Sequence, residues 1–324
     1  MYKFATHIIL ALVIYGAFYA CQKENNPPVI QSFTAEPDSV YPGDTVTLSY
    51  TANDEDSDGL MRAWSCTAGV FLTTDLEWGS PVQWVAPKNP DNHFITVEIN
   101  DLVNFVKDSV LIHVKDTMGA FIDPRDNHEY KWVKIGSQAW MAENLAYLPL
   151  VNLIQDTSYT EPRYNIHGFE GVGLSDAKAT YEFQTYGVLY NWVAANSECP
   201  SGWHLPSDEE WKTLEIYLGM SIEDANFYEQ RTSGDVGKKL KSTNGWFNEG
   251  NGTNSSKFNA LPGGSTDAYP YYYPKKYARF WTSTIITTLP NLSWERDLVY
   301  SRGWVSRLGE PHYEGYSVRC IKDE

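Results

Sequence analysis

Between residues 29 and 116 apolar side chains recur at every second position, in short runs separated by clusters of Gly, Pro, Asp and Asn. Val46, Leu48 and Tyr50 alternate with Thr47 and Ser49, which is the period of a strand buried on one face. Residues 30–35, 61–66, 82–85, 94–99 and 109–114 continue the series, and Tyr41-Pro42-Gly43-Asp44 supplies a turn. No helical period competes, so the span predicts an all-β sandwich. A stretch bearing Gly and Asp, 117–129, is expected to link it to a second domain over 130–324. There the pattern mixes. Residues 130–140 predict a hairpin about Gly136-Ser137, and 186–195 carry helical spacing at Leu189, Trp192 and Val193. Ser207 and Glu210 form a capping box for a helix whose apolar stripe is Trp211, Leu214 and Leu218 and whose stop is Gly219.

The first 28 residues follow neither pattern. Lys3 precedes an apolar run over 8–17, and Phe18-Tyr19-Ala20 leads into Cys21. That order fits a signal peptide with a small residue before a cysteine, and the run is short of the roughly 20 residues that a spanning helix needs. The segment resembles a lipoprotein box, which implies cleavage after residue 20, lipidation at Cys21 and a polar tether over 21–28. A plain cleaved signal or an uncleaved anchor are the alternatives. Lys23-Glu24 is similar to part of a surface-export signal of Bacteroidetes lipoproteins. The expectation is an outer-membrane lipoprotein facing the exterior, with a periplasm-facing one as the alternative.

Composition adds two exclusions and one pairing. The 324 residues suit two domains, and their net charge of −16 repels polyanions. Nucleic acid is therefore not expected as a partner, and attachment to membrane is expected through lipid alone. Apart from Cys21, the cysteines are Cys66, Cys199 and Cys320. Cys199 and Cys320 share the later domain and are expected to pair in an oxidising compartment, which leaves Cys66 as a lone thiol in the sandwich core.

Candidate chemistry is sparse. Asp54, Asp56 and Asp58 with Gly59 match the opening of a calcium loop, where alternating carboxylates converge on the ion. Position 12 would be Ser65 rather than Glu, so a solvated acidic turn is the alternative. The surrounding span resembles bacterial immunoglobulin-like or PKD-type domains in its Pro-Gly-Asp turn, in Arg62-Ala63-Trp64-Ser65 and in Val82-Gln83-Trp84-Val85-Ala86-Pro87.

The later domain carries a stronger resemblance. Trp140-Met141-Ala142-Glu143-Asn144-Leu145, Tyr186-Gly187 with Tyr190-Asn191-Trp192, and the run from Cys199 through Trp211 come first. Gly237 to Ser242, Gly252 to Ser256, Phe258 to Gly264, Phe280-Trp281-Thr282-Ser283 and Ser317-Val318-Arg319-Cys320 follow in order. The domain resembles the Fibrobacter succinogenes major paralogous domain family. That resemblance implies an α+β C-type-lectin-like fold and a place in the cell envelope, with no defined activity. The fold expected of the chain is thus an immunoglobulin-like sandwich followed by a lectin-like domain. Trp203, Trp211 and Trp281 are expected in the core, and His204 as a satisfied structural histidine.

These features favour binding over catalysis. Gly202-Trp203-His204-Leu205-Pro206 with Glu210-Trp211 also resembles the formylglycine-generating enzymes, but these need two active-site cysteines, and here both are expected in a disulfide. No Gly-x-Ser-x-Gly is present. Glu310-Pro311-His312 is only a near miss to the calcium-dependent lectin signature. Tyr269, Tyr271, Tyr272, Tyr273 and Tyr277 lie in an aromatic, Pro-bearing insert that reads as a loop and a contact surface. The expected function is non-enzymatic display of a domain that binds a glycan or surface polymer. A structural or adhesin subunit in a surface protein complex is the alternative.

Overall fold

The computed structural model describes residues 25–72, 77–266 and 275–323, and the chain divides into two compact units between Thr117 and Met118. The leader and Cys21 lie outside the described residues. Among the described residues no helix is long and apolar enough to cross a membrane.

Among its described residues the first unit has eight strands: β1 (Val29–Glu36), β2 (Ser39–Val40), β3 (Thr45–Asn53), β4 (Met61–Cys66), β5 (Val70–Phe71), β6 (Val82–Val85), β7 (Asp91–Asn100) and β8 (Phe105–Val114). They form two sheets, ordered β1-β3-β6-β5 and β2-β8-β7-β4. Val46, Leu48, Val82 and Trp84 of one sheet share a core with Val40, Ile95, Ile112 and Val114 of the other. The alternation visible in the sequence is therefore the inward face of a two-sheet sandwich. Cys66 has a free thiol and is half-buried at the margin of that core rather than inside it.

The second unit begins earlier than expected. Residues 117–129 are not a linker, because β9 (Met118–Asp123) pairs antiparallel with β10 (His128–Ile135) through a tight turn. Phe121 of β9 stacks on Trp203, and ring burial of that kind overrides the turn-like composition. β10 continues into β11 (Gln138–Met141), as the hairpin reading expects. With β14 (Trp203–His204) and β19 (Ile321–Lys322) these strands complete a sheet ordered β14-β19-β11-β10-β9.

Residues 186–195 are not one helix. Helix α1 (Leu174–Ala179) ends at Thr180, and α2 (Tyr181–Tyr186) ends at Gly187, whose φ of +75° turns the chain. Leu189–Tyr190 is strand β13, paired with β12 (Tyr164–Asn165). Only Trp192–Ala195 is helical, as α3, capped by the Asn191 side chain. Helix α4 (Asp208–Tyr217) has the expected capping box of Ser207 and Glu210. Two shorter helices follow, α5 (Ile222–Asn226) and α6 (Val236–Leu240). The last sheet runs β15-β18-β17-β16, from β15 (Glu229–Arg231), β16 (Tyr277–Ile286), β17 (Leu289–Val299) and β18 (Val305–Pro311).

Trp140, Trp211, Phe258 and Phe280 meet in one core, and Tyr190, Trp281 and Tyr316 in another. Trp203, Trp211 and Trp281 are all buried, as the sequence suggests. Cys199 and Cys320 form a disulfide.

Candidate functional site

The β15–β18 sheet is packed on both faces, with Phe280 and Leu298 in one core and Trp281 in the other. On the first face, even-numbered residues of β17 meet α4. Arg231 donates to both oxygens of Glu215, each at 2.6 Å, and Arg296 donates through Nε to Glu215 at 2.8 Å. Arg307 grips Asp208 at 2.8 and 2.7 Å. Charge pairing of this density is what lets so many ions sit away from water.

On the other face, strand register sets Gln230 opposite Ser306, Ser306 opposite Asp297, and Asp297 opposite Arg279. Directly opposed residues of antiparallel strands project to the same side. An amide, a hydroxyl, a carboxylate and a guanidinium thus form one row across four strands. Gln230, Ser306 and Asp297 floor a half-open groove of about 470 Å³, walled by Tyr277, Tyr300 and Trp304 among others. Burial lifts the Asp297 carboxyl to about 6 against the pull of Arg279. Burial also holds the Glu295 carboxyl well above the usual range, with Asp297 adding to the shift.

One wall of the groove is the turn from β17 to β18, and a buried lysine fixes it. Lys241 Nζ lies 3.1, 3.2 and 2.9 Å from the carbonyls of Val299, Tyr300 and Arg302, and 2.8 Å from that of Gly250. Burial pulls this ammonium down to about 8, so at neutral pH it remains a cation on the carbonyls. Gly252 passes so close to the carbonyls of Lys238 and Lys241 that any side chain there would collide with them. The sequence blocks containing Gly237-Lys238-Lys239-Leu240-Lys241 and Gly252 are therefore the scaffold of the groove's wall.

Of the tyrosines expected to bind ligand, Tyr269, Tyr271, Tyr272 and Tyr273 lie outside the described residues. Tyr277 is not on a loop; it opens β16 and lines the groove. Sequence reasoning missed Gln230, Asp297, Tyr300, Trp304 and Ser306. The available signal was the run Glu295-Arg296-Asp297, which in a strand puts charge on both faces. His204 accounts for itself: Nδ1 meets Asp323 at 2.6 Å and Nε2 meets Glu210 at 2.8 Å. Burial opposes the charged imidazolium, but these hydrogen bonds outweigh it and raise the pKa. They also tie the chain's end to the start of α4.

In the first unit, Asp54, Asp56 and Asp58 come together, with potential ligand oxygens within 4.8 Å of one another. Asp54 Oδ1 accepts from the backbone N–H of Asp56 at 2.8 Å, whereas its Oδ2 is buried and has no hydrogen-bond partner among the described residues. The donor set is all oxygen, which suits a hard cation.

Residues 133–322 match the family described as the Fibrobacter succinogenes major domain. No curated protein matches the chain. Among solved structures, human protocadherin-24 EC1-2 is similar at 16% identity and a TM-score of 0.22, over 44% of this chain and 67% of that one. The Yersinia pseudotuberculosis adhesin InvE is similar at 13% identity and a TM-score of 0.24, over 90% and 96% of the two chains. Likeness at these scores fixes neither fold nor function.

Proposed function

This chain belongs to the Fibrobacter succinogenes major domain family, and on that premise we propose that it is a cell-envelope lipoprotein displaying a non-catalytic, glycan-binding domain. In this reading the first unit is an immunoglobulin-like spacer anchored through Cys21 at the outer membrane, facing outward. The second is a C-type-lectin-like scaffold. The observation that carries the ligand class is the groove over β15–β18. Its floor offers amide, hydroxyl and carboxylate groups in one row, and its walls include the aromatic side chains of Tyr277, Tyr300 and Trp304. Sugars have the matching surface, with hydroxyl edges that exchange hydrogen bonds and C–H faces that pack on rings. Cys199 and Cys320 are bonded to each other, so they offer no thiolate pair for copper chemistry.

Screening the full chain from Cys21 on a polysaccharide array should reveal binding that EDTA leaves intact. Trp304→Ala should weaken it by about tenfold, the scale expected when one aromatic ring is removed from a binding core. Absence of any glycan binding would return the chain to the adhesin-subunit class.

The Asp54 turn fits calcium on the same reading. With three carboxylates and no Glu at the closing position, the site should be weak, with a Kd on the order of 10⁻⁴–10⁻³ M. Calorimetric titration should show calcium heat in the chain and none in Asp54→Asn. Heat absent from both identifies the turn as merely solvated.

A further inference from the structure

Asp297 is unusual for a residue that lines an open groove. Its exposure is 6%, and its Oδ1 is buried with no hydrogen-bond donor among the described residues. Two positions along the same strand face, Glu295 is fully buried, and neither of its carboxylate oxygens has a hydrogen-bond partner among the described residues. Buried acceptors are nearly always filled, and an exception calls for a reason. These side chains lie away from the arginines that serve Asp208 and Glu215; Arg279 is the cation that faces them, and it donates to neither Asp297 Oδ1 nor Glu295 among the described residues.

We infer that the groove takes an amino sugar, whose ammonium donates to Asp297 Oδ1 while its ring packs among Tyr277, Tyr300 and Trp304. The inference rests on the glycan-binding reading and narrows it. Three properties of the groove favour an ammonium over a neutral hydroxyl as the missing donor. The first is the carboxylates at the groove: Asp297 floors it, Glu229 lines it and Glu310 stands close to Asp297. The second is the rim, where aromatic faces attract cations. The Arg302 guanidinium lies 4.8 Å from the centroid of Trp304 and shows that ring already receiving one. The third is the field of a chain with net charge −16, which draws cations toward any cleft it lines.

The arrangement also ties binding to pH. Around Asp297 stand Tyr277 and Arg279 on β16, Ser306 and Glu310 on β18, Gln230 on β15, and Glu295 on its own strand, with Arg296 on the opposite face. Burial opposes the ionised carboxyl, Arg279 favours it and Glu310 adds to the opposition, which leaves the group titrating near 6. Above that pH the carboxylate receives the ammonium. Below it a proton takes the acceptor, and near pH 6 binding releases that proton.

The test is calorimetry of the full chain with fully deacetylated chito-oligosaccharide, its N-acetylated counterpart and a cello-oligosaccharide. Each is titrated at pH 7 and pH 5, and at pH 6 in two buffers of different ionisation enthalpy. Expected are about tenfold tighter binding of the deacetylated sugar at pH 7, proton release at pH 6, and about tenfold weaker binding at pH 5. Asp297→Asn keeps the shape and should abolish both the preference for the deacetylated sugar and the pH dependence. Equal binding of all three sugars at both pH values overturns the amino-sugar inference and leaves the groove a neutral-glycan site. A preference that persists in Asp297→Asn and disappears at high salt is diffuse attraction, and also overturns it. No binding of any sugar removes the glycan reading and this inference together.

Discussion

Replacing Glu215 by Ala should cost the second unit about 3–5 kcal/mol of stability, because it strands buried guanidinium charge. Glu215 and its partners Arg231 and Arg296 are all fully buried. The carboxylate takes both terminal nitrogens of Arg231, at 2.6 Å each, and the Nε of Arg296 at 2.8 Å. Arg296 retains Asp208, at 2.9 Å, but Asp208 is already committed to Arg307 and Lys212. Among the described residues Arg231 retains only the carbonyl of Ala225, at 3.4 Å, for a full positive charge that sits beside the cations Arg296 and Arg307. Urea unfolding followed by tryptophan fluorescence would measure the loss as a drop in midpoint at constant m. Glu215→Gln should lose less, since an amide oxygen still accepts. A loss under about 1 kcal/mol in Glu215→Ala would show that water enters and solvates Arg231, and that the burial described for this network is incomplete. The neighbouring pair adds a pH dependence. Desolvation works against the charged form of Asp208, yet Arg307 and Arg296 hold its carboxyl well below the usual value. Its contribution is present above pH 3.8 and fades as pH falls below that value.

Reducing the Cys199–Cys320 disulfide should cost a similar amount, for a different reason. The bond spans 121 residues, and in the chain-entropy account a loop of that size lowers the entropy of the unfolded chain by the equivalent of about 4–5 kcal/mol. In the folded state the same ends are already held together, because Trp203 pairs with Lys322 and His204 with Ile321. The folded structure should therefore survive reduction and only its stability should fall. A paired Cys199→Ser, Cys320→Ser variant should show the same shift in urea midpoint as the reduced wild type. A shift below about 1 kcal/mol would mean that the unfolded chain is compact enough to keep these ends close.

Much of this architecture can be read in the chain. Residues 61–66 and 82–85 are strands with the bounds that alternation and turn residues suggest, because each strand has one wet face and a short connection. The Ser207–Glu210 capping box is equally legible, since both halves of the motif lie within four residues. Features that depend on partners far along the chain are not. Residues 117–129 have the composition of a linker, and only pairing with β10 and stacking on Trp203 make them a strand. Leu189, Trp192 and Val193 fit helical spacing, yet Leu189–Tyr190 is drawn into pairing with Tyr164–Asn165. The groove is the extreme case. Gln230, Ser306, Asp297 and Arg279 form a row through three registers at once, and no local pattern encodes a register between distant strands. The aromatic insert drew attention by composition, whereas Trp304 stands alone in its sequence and counts only by where it lies.

The first strand of the second unit and its last share a sheet, and their pairing has a consequence for how such a unit travels between proteins. Met118 pairs with Val133, Val133 with Trp140, and Trp140 with Ile321. The entry and exit of the polypeptide therefore stand in a single transverse line, three strand spacings or about 14 Å apart. A unit whose ends emerge side by side can be grafted into a surface loop of another protein without prying that host open. It can also be appended to a chain, as it is here. The piece to transplant starts at Met118; a graft cut at Tyr130 would discard β9 and leave the backbone of β10 as a raw edge for aggregation.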